Sequence, residues 1–302
     1  MSSSPATPSF DQLCTALLNP TEPIGKRTRA IFYLRTRGNL EDLEVLLEAL
    51  KNRQDSELMR HELAYVIGQF QKKEACEILH EILADETDDV MVRHEVAEAL
   101  GAIGSVHSVS ILEKYCHDPA PEISETCKLA LKLVHYKSAK ANGTLHEAQV
   151  DQNPYLSEDP APAAEMTMST VELRTILLDP RADMFLRYRA LFSLRNRNTN
   201  EAALALAEAF DDSNTLLKHE VAYVMGQMAN PVLVPALTKV LLDQTQHRMV
   251  RHEAAEALGA IGTIECEKIL THHLNDNVQV VRESCQVALD IMDYWASNEI
   301  KS

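Results

Sequence analysis

RHEVAEALGAIG at residues 93–104 recurs almost unchanged as RHEAAEALGAIG at residues 251–262. Within each stretch the apolar positions lie three and four residues apart, which is the spacing of one face of an α-helix. The first stretch follows a second apolar helix, EACEILHEILAD at residues 74–85, after a short polar turn. A two-helix unit that cannot bury its apolar face alone, repeated along a chain, predicts an α-solenoid.

The unit occurs eight times, four times in each half of the chain. Only the two inner copies of each half carry a His-Glu pair, at His61-Glu62, His94-Glu95, His219-Glu220 and His252-Glu253. Pairs within a half lie 33 residues apart, and equivalent pairs of the two halves lie 158 residues apart. The remaining copies have other residues at the His position, namely Thr28, Glu125, Tyr188 and Glu283. The repeated sequence pattern resembles HEAT-like repeats. It therefore predicts an all-α, HEAT-like α-solenoid of eight two-helix repeats in two pseudo-symmetric lobes of four.

A segment between the two halves has no sustained helical period and contains Pro154, Pro160 and Pro162 among many small polar residues. This composition is typical of a flexible linker. We therefore expect an N-terminal lobe at residues 10–136, a flexible linker at 137–168 and a C-terminal lobe at 169–297.

Charge and composition narrow the classes of function. The formal net charge is −16, which disfavours a nucleic-acid partner and favours a basic protein or a cationic small molecule. The six cysteines form no CxxC pair, and we expect them to be reduced and mostly buried. The N-terminal residues do not resemble a signal peptide, and no apolar run approaches the length that spans a bilayer. These features predict a cytoplasmic protein.

The His-Glu pairs carry the chemical signal. Side chains adjacent on a helix point about 100° apart, so both members lie beside the apolar stripe, and stacked helices about 10 Å apart let neighbouring pairs converge. Imidazole with carboxylate and no thiolate suits Fe, Mn or Zn, and two His with one carboxylate form an open facial site. A solvated helix face would not explain why the pair is absent from all four terminal copies.

Several alternatives remain open at this level. The residue four positions after each His is not a second His, which disfavours zinc-protease chemistry of the HExxH type. Glu98 and Glu256 follow His94 and His252 by four residues and are either outer partners of the ligands or structural ion-pair residues. The whole chain is either a metal-dependent oxygenase, a dinuclear hydrolase with Zn or Mn, or a non-enzymatic scaffold for a basic partner. Metal analysis separates the three.

The two sets of four repeats, the long linker and the stretches RHELAYVIGQF, RHEVAEALGAIG, KHEVAYVMGQM and RHEAAEALGAIG closely resemble the deoxyhypusine hydroxylase family. Lys218 is the one departure, where the other three stretches have Arg. The resemblance implies an oxidoreductase of hypusine biosynthesis: a non-haem di-iron monooxygenase with two Fe per chain. It converts the deoxyhypusine side chain of a translation factor to hypusine with O2 and an unidentified electron donor. Iron-bound peroxide is the implied precursor of the oxidant.

The resemblance also implies roles for residues of this chain. The implied ligands of the two irons are His61, His94 and Glu95 for one, and His219, His252 and Glu253 for the other. The remaining members of the pairs, Glu62 and Glu220, are implied to act in catalysis on the substrate side. Met91 and Met249 precede a ligand His by three residues and are expected to line the pocket.

Overall fold

The computed structural model describes residues 8–145 and 149–299, with side chains described as far as Tyr294. Within these residues, sixteen α-helices form eight packed pairs. The first helices of the pairs are α1 (Phe10–Leu18), α3 (Leu40–Lys51), α5 (Cys76–Ala84), α7 (Val109–Tyr115), α9 (Thr170–Leu178), α11 (Asn200–Ala207), α13 (Val234–Leu242) and α15 (Ile264–His272). The second helices are α2 (Ile24–Arg37), α4 (Glu57–Phe70), α6 (Val90–Ile103), α8 (Pro121–Ala141), α10 (Met184–Arg197), α12 (Thr215–Met228), α14 (Arg248–Ile261) and α16 (Gln279–Glu299). The predicted all-α repeat fold is confirmed.

The ends of the second helices are fixed by local sequence signals. Ser56 begins α4 by accepting a hydrogen bond from the backbone N–H of Met59 at 3.2 Å. Asp89 does the same for α6 through the N–H of Met91 at 2.8 Å. Gly104 ends α6 with φ +69°, a left-handed conformation that side-chain-bearing residues rarely adopt. The polar turn and a closing residue in the left-handed conformation, which is Gly in α6 and α14 but Gln71 in α4 and Ala229 in α12, therefore set where these helices start and stop.

The Arg that precedes a His-Glu pair is a structural residue. Arg60 Nε donates to the carbonyl oxygen of Leu50 at 2.9 Å, and its guanidinium pairs with Asp88 of the next repeat, with Nη1 2.5 Å from Oδ1. The same double contact recurs with Asp55, Asp118, Asp212 and Asp276 for Arg27, Arg93, Arg187 and Arg251. Lys218 departs from this pattern together with its partner, because its Nζ donates to Gln246 Oε1 at 2.8 Å. Because Gln246 stands where the other repeats have the Asp partner, this contact has no carboxylate that needs a guanidinium.

Neighbouring inner helices touch backbone to backbone at glycine. A Cβ placed on Gly68 of α4 would lie 2.8 Å from the Cα of Ala99 on α6. At the equivalent point of the other lobe, a Cβ on Gly226 of α12 would lie 3.0 Å from the Cα of Ala257 on α14. Small residues at these positions bring together the helices that carry the His-Glu pairs.

The eight inner helices close into a ring. α2 packs against α16, and α8 packs against α10 and α12, so the end of each lobe meets the beginning of the other. The first contact includes an ion pair of Arg29 with Asp290 and a 2.6 Å contact between the Tyr33 and Tyr294 hydroxyls. The second includes a 2.7 Å hydrogen bond that Asn214 Nδ2 donates to Glu125. The terminal copies thus join the lobes at the two ends, and Arg248 of α14 adds ion pairs with Glu57 and Asp89 of the other lobe.

The chain between the lobes crosses one face of this ring. We call residues 151–165 the strap. Gln69 of α4 exchanges two hydrogen bonds with the backbone of Glu158, and Arg195 of α10 forms an ion pair with Asp159. Ala161 is fully buried in the same core as side chains of α8 and α10. The strap thus contacts both lobes.

Residues in the second half of the predicted linker form these contacts with both lobes, and the flexibility of the linker stays a prediction. The first residues of the predicted linker continue α8 to Ala141. Residues 146–148 lie outside the described residues. The predicted lobe boundaries themselves stay a prediction.

Two further expectations concern single residue types. All six cysteines are free thiols, and five of them are buried, as predicted. No helix within the described residues has both the length and the apolar character needed to cross a membrane.

Candidate metal centre

The four His-Glu pairs meet at the centre of the ring, and all eight side chains are buried. They come from the first half of α4, α6, α12 and α14. The ring centroid of His61 lies 5.8 Å from that of His94 in its own lobe and 5.2 Å from that of His252 in the other. His219 lies 5.3 Å from His94 and 5.4 Å from His252. The convergence expected within each lobe therefore extends across the lobes into one cluster.

In each lobe, one carboxylate oxygen approaches two imidazole nitrogens. Glu95 Oε2 lies 3.1 Å from His61 Nε2 and 3.4 Å from His94 Nε2. Glu253 Oε2 lies 3.3 Å from His219 Nε2 and 3.9 Å from His252 Nε2. Ligand atoms about 2.1 Å from a common ion, at right or tetrahedral angles, are themselves about 3.0–3.4 Å apart. Three of the four distances fall in this range, and the fourth, 3.9 Å between Glu253 and His252, is longer.

These nitrogens are not satisfied by the protein. Despite the short distances to the carboxylates, the Nε2 atoms of all four histidines lack a hydrogen-bond partner among the described residues. A buried polar atom without a partner costs free energy, and each one calls for an explanation. Four Nε2 atoms without a partner, on rings that cluster at one point, fit a metal centre well.

Neighbouring residues hold two histidines in the tautomer that metal binding needs, in which Nδ1 carries the proton. The Thr126 hydroxyl donates to the Glu122 carbonyl at 2.7 Å, so it can only accept from His94 Nδ1, which lies 3.2 Å away. Glu62 Oε1 lies 3.3 Å from His61 Nδ1 and accepts from it. With the proton on Nδ1 in both rings, Nε2 keeps its lone pair.

The second lobe has a longer outer contact. His252 Nδ1 lies 3.5 Å from Glu256, which in turn accepts a 2.8 Å hydrogen bond from the Ser284 hydroxyl. In the first lobe Glu98 lies close to His94 and Glu95, with ligand atoms of the three residues within 4.8 Å of one another. Both glutamates are thus placed beside the predicted ligand histidines, and among the described residues neither forms an ion pair with Lys or Arg.

Like charges crowd the centre. Burial, followed by the carboxylates around them, raises the pKa of Glu98, Glu220 and Glu256 well above the ordinary value. Burial and the neighbouring histidines lower the pKa of His94 and His252. Burial also lowers the pKa of His61, but Glu95 and Glu62 outweigh it and the net shift is upward. Cations bound between these groups would relieve the repulsion among the carboxylates, use the neutral imidazoles of His94 and His252 as ligands, and displace any proton from His61.

A cavity of about 360 Å³ opens beside the cluster. It is lined by both predicted substrate-side carboxylates, Glu62 and Glu220, and by Glu95 and Glu253. Glu98 and Glu256 also line it. The cavity therefore combines the cluster with acidic groups that face the space in front of it.

Met91 and Met249 are not among the side chains that line this cavity. Both are fully buried in the apolar core that also contains Leu58. Because they precede the ligand His by three residues, they lie one turn nearer the helix N-terminus, whereas the cavity extends toward the C-terminal ends, where Tyr65 and Gln227 line it. The structure does not bring these two methionines to the pocket.

Sequence reasoning missed the aromatic part of the cavity. Tyr65 and Tyr223 occupy the fourth position after a ligand His in their repeats, and their hydroxyls lie 2.8 Å apart across the ring. Tyr155 of the strap forms another part of the lining. The repeated Tyr was visible in the sequence, but the position of the strap depends on contacts that no local pattern encodes.

Comparison with known proteins agrees with this architecture. A family model described as HEAT repeats matches residues 43–132 and 202–290. Deoxyhypusine hydroxylase of Drosophila melanogaster is 44% identical over 94% of this chain and 92% of its own length. That of Candida albicans is 47% identical over 98% of this chain and 96% of its own. The chain belongs to the deoxyhypusine hydroxylase family.

The family resemblance extends to three dimensions. A solved structure of human deoxyhypusine hydroxylase, in complex with glycerol, superimposes on this chain with a TM-score of 0.87. It is 43% identical in sequence and is matched over 94% of this chain and 96% of its own. The family membership predicted from the four repeated stretches is confirmed, as is the helical repeat fold.

Proposed function

We propose that this protein hydroxylates the deoxyhypusine side chain of a translation factor, using O2 and two bound irons, to give hypusine. The observation that carries the proposal is the pair of facing donor sets at the ring centre. Each set offers two imidazole nitrogens and one carboxylate oxygen, and the nitrogens have no protein partner. Relatives that bear the name of this activity are similar over nearly the whole chain.

One iron would be held by His61, His94 and Glu95, and the other by His219, His252 and Glu253. Imidazole and carboxylate without thiolate are suitable ligands for non-haem iron, and three ligands leave positions open at each ion. When bound, the irons supply the activation of O2 that oxidation of an unactivated C–H bond requires. An external donor provides the electrons.

Glu62 and Glu220 would bind the cationic nitrogens of the substrate chain. Both line the cavity, and one carboxylate oxygen of Glu220 has no hydrogen-bond partner among the described residues. A carboxylate that accepts from an ammonium group forms a charge-assisted hydrogen bond in a buried setting, where it is stronger than in water. Fixing a long, flexible chain through its nitrogens places one of its carbons beside the metals.

The overall charge fits this substrate. At −16, the protein attracts a polyamine-like side chain and the basic surface of a partner. A translation factor as substrate places the reaction in the cytoplasm.

Metal titration tests the proposal. Protein freed of metal and titrated with Fe(II) without O2 should saturate near two equivalents per chain and develop an optical band when O2 is admitted. With a reductant and the deoxyhypusine-bearing factor, mass spectrometry should then find one oxygen atom added to the factor. Zn(II)-loaded protein is the control and should leave the factor unchanged. Saturation at one equivalent, or hydroxylation by the zinc form, would rule out a di-iron oxygenase.

A further inference from the structure

Tyr65 and Tyr223 form a hydroxyl pair on the wall of the cavity. Their oxygens lie 2.8 Å apart, so one hydroxyl donates to the other. Tyr65 follows His61 by four residues, which places it about 6 Å further along the helix axis and on the same face. The direction of the hydrogen bond decides which of the two hydroxyls keeps a free proton for the cavity.

Arg195 sets the direction of the hydrogen bond between the two tyrosines. A guanidinium only donates, and Arg195 Nη1 lies 2.7 Å from Gln227 Oε1. The oxygen of the Gln227 amide therefore faces Arg195, and its Nε2 donates to the Tyr223 hydroxyl oxygen at 2.9 Å. Because Tyr223 accepts from Gln227, its own proton is directed at the oxygen of Tyr65.

We call this chain of hydrogen bonds, from Arg195 through Gln227 and Tyr223 to Tyr65, the relay. Contacts with the strap restrict it to one lobe. Arg195 is fully buried and forms an ion pair with Asp159 of the strap, which fixes the start of the relay. Gln69 is the counterpart of Gln227 in the other lobe, but its amide is bound to the strap. Glu158 N donates to Gln69 Oε1 at 2.9 Å, and Gln69 Nε2 donates to the Glu158 carbonyl at 3.2 Å. Within the part of the chain that the structure describes, Tyr223 is the only hydrogen-bond partner of the Tyr65 hydroxyl.

The Tyr65 proton thus remains free for a ligand in the cavity. Burial raises the pKa of Tyr65 above its ordinary value, so the hydroxyl stays protonated at neutral pH. Under the proposed function, the substrate chain has cationic nitrogens and methylene groups and offers no oxygen acceptor. The product differs by one hydroxyl oxygen, formed at the carbon next to the metal centre.

We propose that Tyr65 donates a hydrogen bond to the hydroxyl group that the reaction adds, and so distinguishes the product from the substrate. The inference rests on the proposed function. It assigns different roles to two tyrosines that are equivalent by repeat symmetry.

Binding measurements without O2 test the assignment, because the iron-loaded protein can then hold either side chain without turnover. The quantity measured is the ratio of the affinities for the hypusine-bearing and deoxyhypusine-bearing factor. Tyr65→Phe should lower that ratio by about three- to tenfold, the effect of one neutral hydrogen bond. Tyr223→Phe is the matched control and should leave the ratio within about twofold, because Tyr65 keeps its proton.

A third variant reverses the relay with both tyrosines in place. Gln227→Glu keeps an acceptor for Arg195 and turns the second position from a donor into an acceptor. Tyr223 then donates to the new carboxylate, and Tyr65 donates to Tyr223. Q227E should therefore lower the ratio as Y65F does, and its added charge cancels in the ratio. Circular dichroism and thermal melting check that each variant is folded.

Equal effects of Y65F and Y223F, or an unchanged ratio in Q227E, would overturn the inference while leaving the proposed function intact. Unmodified protein that binds neither side chain would overturn both.

Discussion

Glu62 and Glu220 occupy equivalent positions but have different surroundings. Glu62 accepts a hydrogen bond from Nδ1 of His61, a predicted ligand, whereas an oxygen of Glu220 has no partner among the described residues. Glu62 therefore helps to orient a histidine in addition to facing the cavity. The repeat symmetry of the sequence does not extend to the roles of these two side chains.

This difference predicts distinct effects of substitution. Glu220→Gln should weaken binding of the deoxyhypusine-bearing factor by about one to two orders of magnitude, since a charge-assisted hydrogen bond contributes about 1.5–3 kcal/mol. Its iron content should stay near two per chain. Glu62→Gln should weaken substrate binding similarly and also lower iron affinity, because His61 loses a carboxylate partner. His252→Ala should lose iron and all turnover.

Iron per chain and factor binding, measured side by side, check these expectations. If Glu220→Gln loses iron as His252→Ala does, Glu220 belongs among the metal ligands. Equal iron affinity in the two Gln variants would mean that the contact with His61 has no effect on the metal.

Between elements, the glycine contacts set how closely the ligand-bearing helices approach. We expect Gly226→Ala to push α12 away from α14, because the new Cβ would lie 3.0 Å from the Cα of Ala257. Overpacking of this kind costs about 1–3 kcal/mol. It should also lower metal affinity in the C-terminal lobe, since His219 and His252 sit on these two helices.

Gly259→Ala is the matched control. Its Cβ would lie 2.5 Å from the Cβ of Ala288 and would push α14 away from α16, which carries no predicted ligand. Urea unfolding and Fe(II) titration should show a stability loss in both variants and a larger loss of metal affinity in Gly226→Ala. Equal losses of affinity would show that helix spacing does not tune the site.

The Arg–Asp contacts between repeats predict an acid dependence of stability. Burial would raise the pKa of Asp276, but the hydrogen bond and charge of Arg251 outweigh it, and the pKa lies below the ordinary value. The unfolded chain has the ordinary value near 3.9. The stabilisation is therefore present above about pH 4 and is lost as the pH falls through the lower pKa of the folded state.

Asp276→Asn should cost about 3 kcal/mol at neutral pH, because Arg251 loses its buried counter-ion. Its stability should also fall less steeply than that of the unmodified protein below pH 4. Glu208→Gln, at the exposed ion pair with Arg174, should cost less than about 1 kcal/mol. Urea unfolding from pH 7 to pH 3 measures both. Parallel acid slopes for Asp276→Asn and the unmodified protein would contradict the assignment.

At the scale of the whole molecule, each lobe would supply the donors for one ion under the proposed function, and the two donor sets meet at the centre of the ring. A lobe expressed alone, residues 1–145 or 149–302, should fold, because four stacked repeats share a continuous core. It should bind about one iron and fail to hydroxylate the factor. Iron content, circular dichroism and product analysis of the two fragments check this, and activity in either fragment would show that the irons act independently.

The sequence predicted what repeats locally. The helical period, the eight units and the convergence of the two His-Glu pairs within each lobe follow from spacing alone, because each depends on one repeat and its neighbour. The family resemblance, rather than the spacing, distinguished Glu95 from Glu62 as the expected ligand, and the choice stays a prediction.

Contacts between distant parts of the chain could not be predicted in this way. The strap is tied down by pairs such as Gln69 with Glu158, 89 residues apart, and no period in the sequence encodes them. The strap is rich in proline and small polar residues, a composition that indicated mobility. Its composition could not reveal these contacts, because the partners lie on other helices. The sequence positions of Met91 and Met249 indicated that they lie near the predicted ligands. They did not indicate that the cavity extends toward the opposite ends of the helices.

Closure of the ring also limits how such a protein can evolve. An open solenoid gains or loses a repeat with little effect on the rest, because each repeat contacts only its neighbours. Here the contact of α2 with α16 couples the first repeat to the last. One additional repeat would separate Arg29 from Asp290 and move the two donor sets out of register across the ring. Closure thus couples the number of repeats to the geometry of the centre, whereas a change in the length of an outer turn would leave the α2–α16 contact in place.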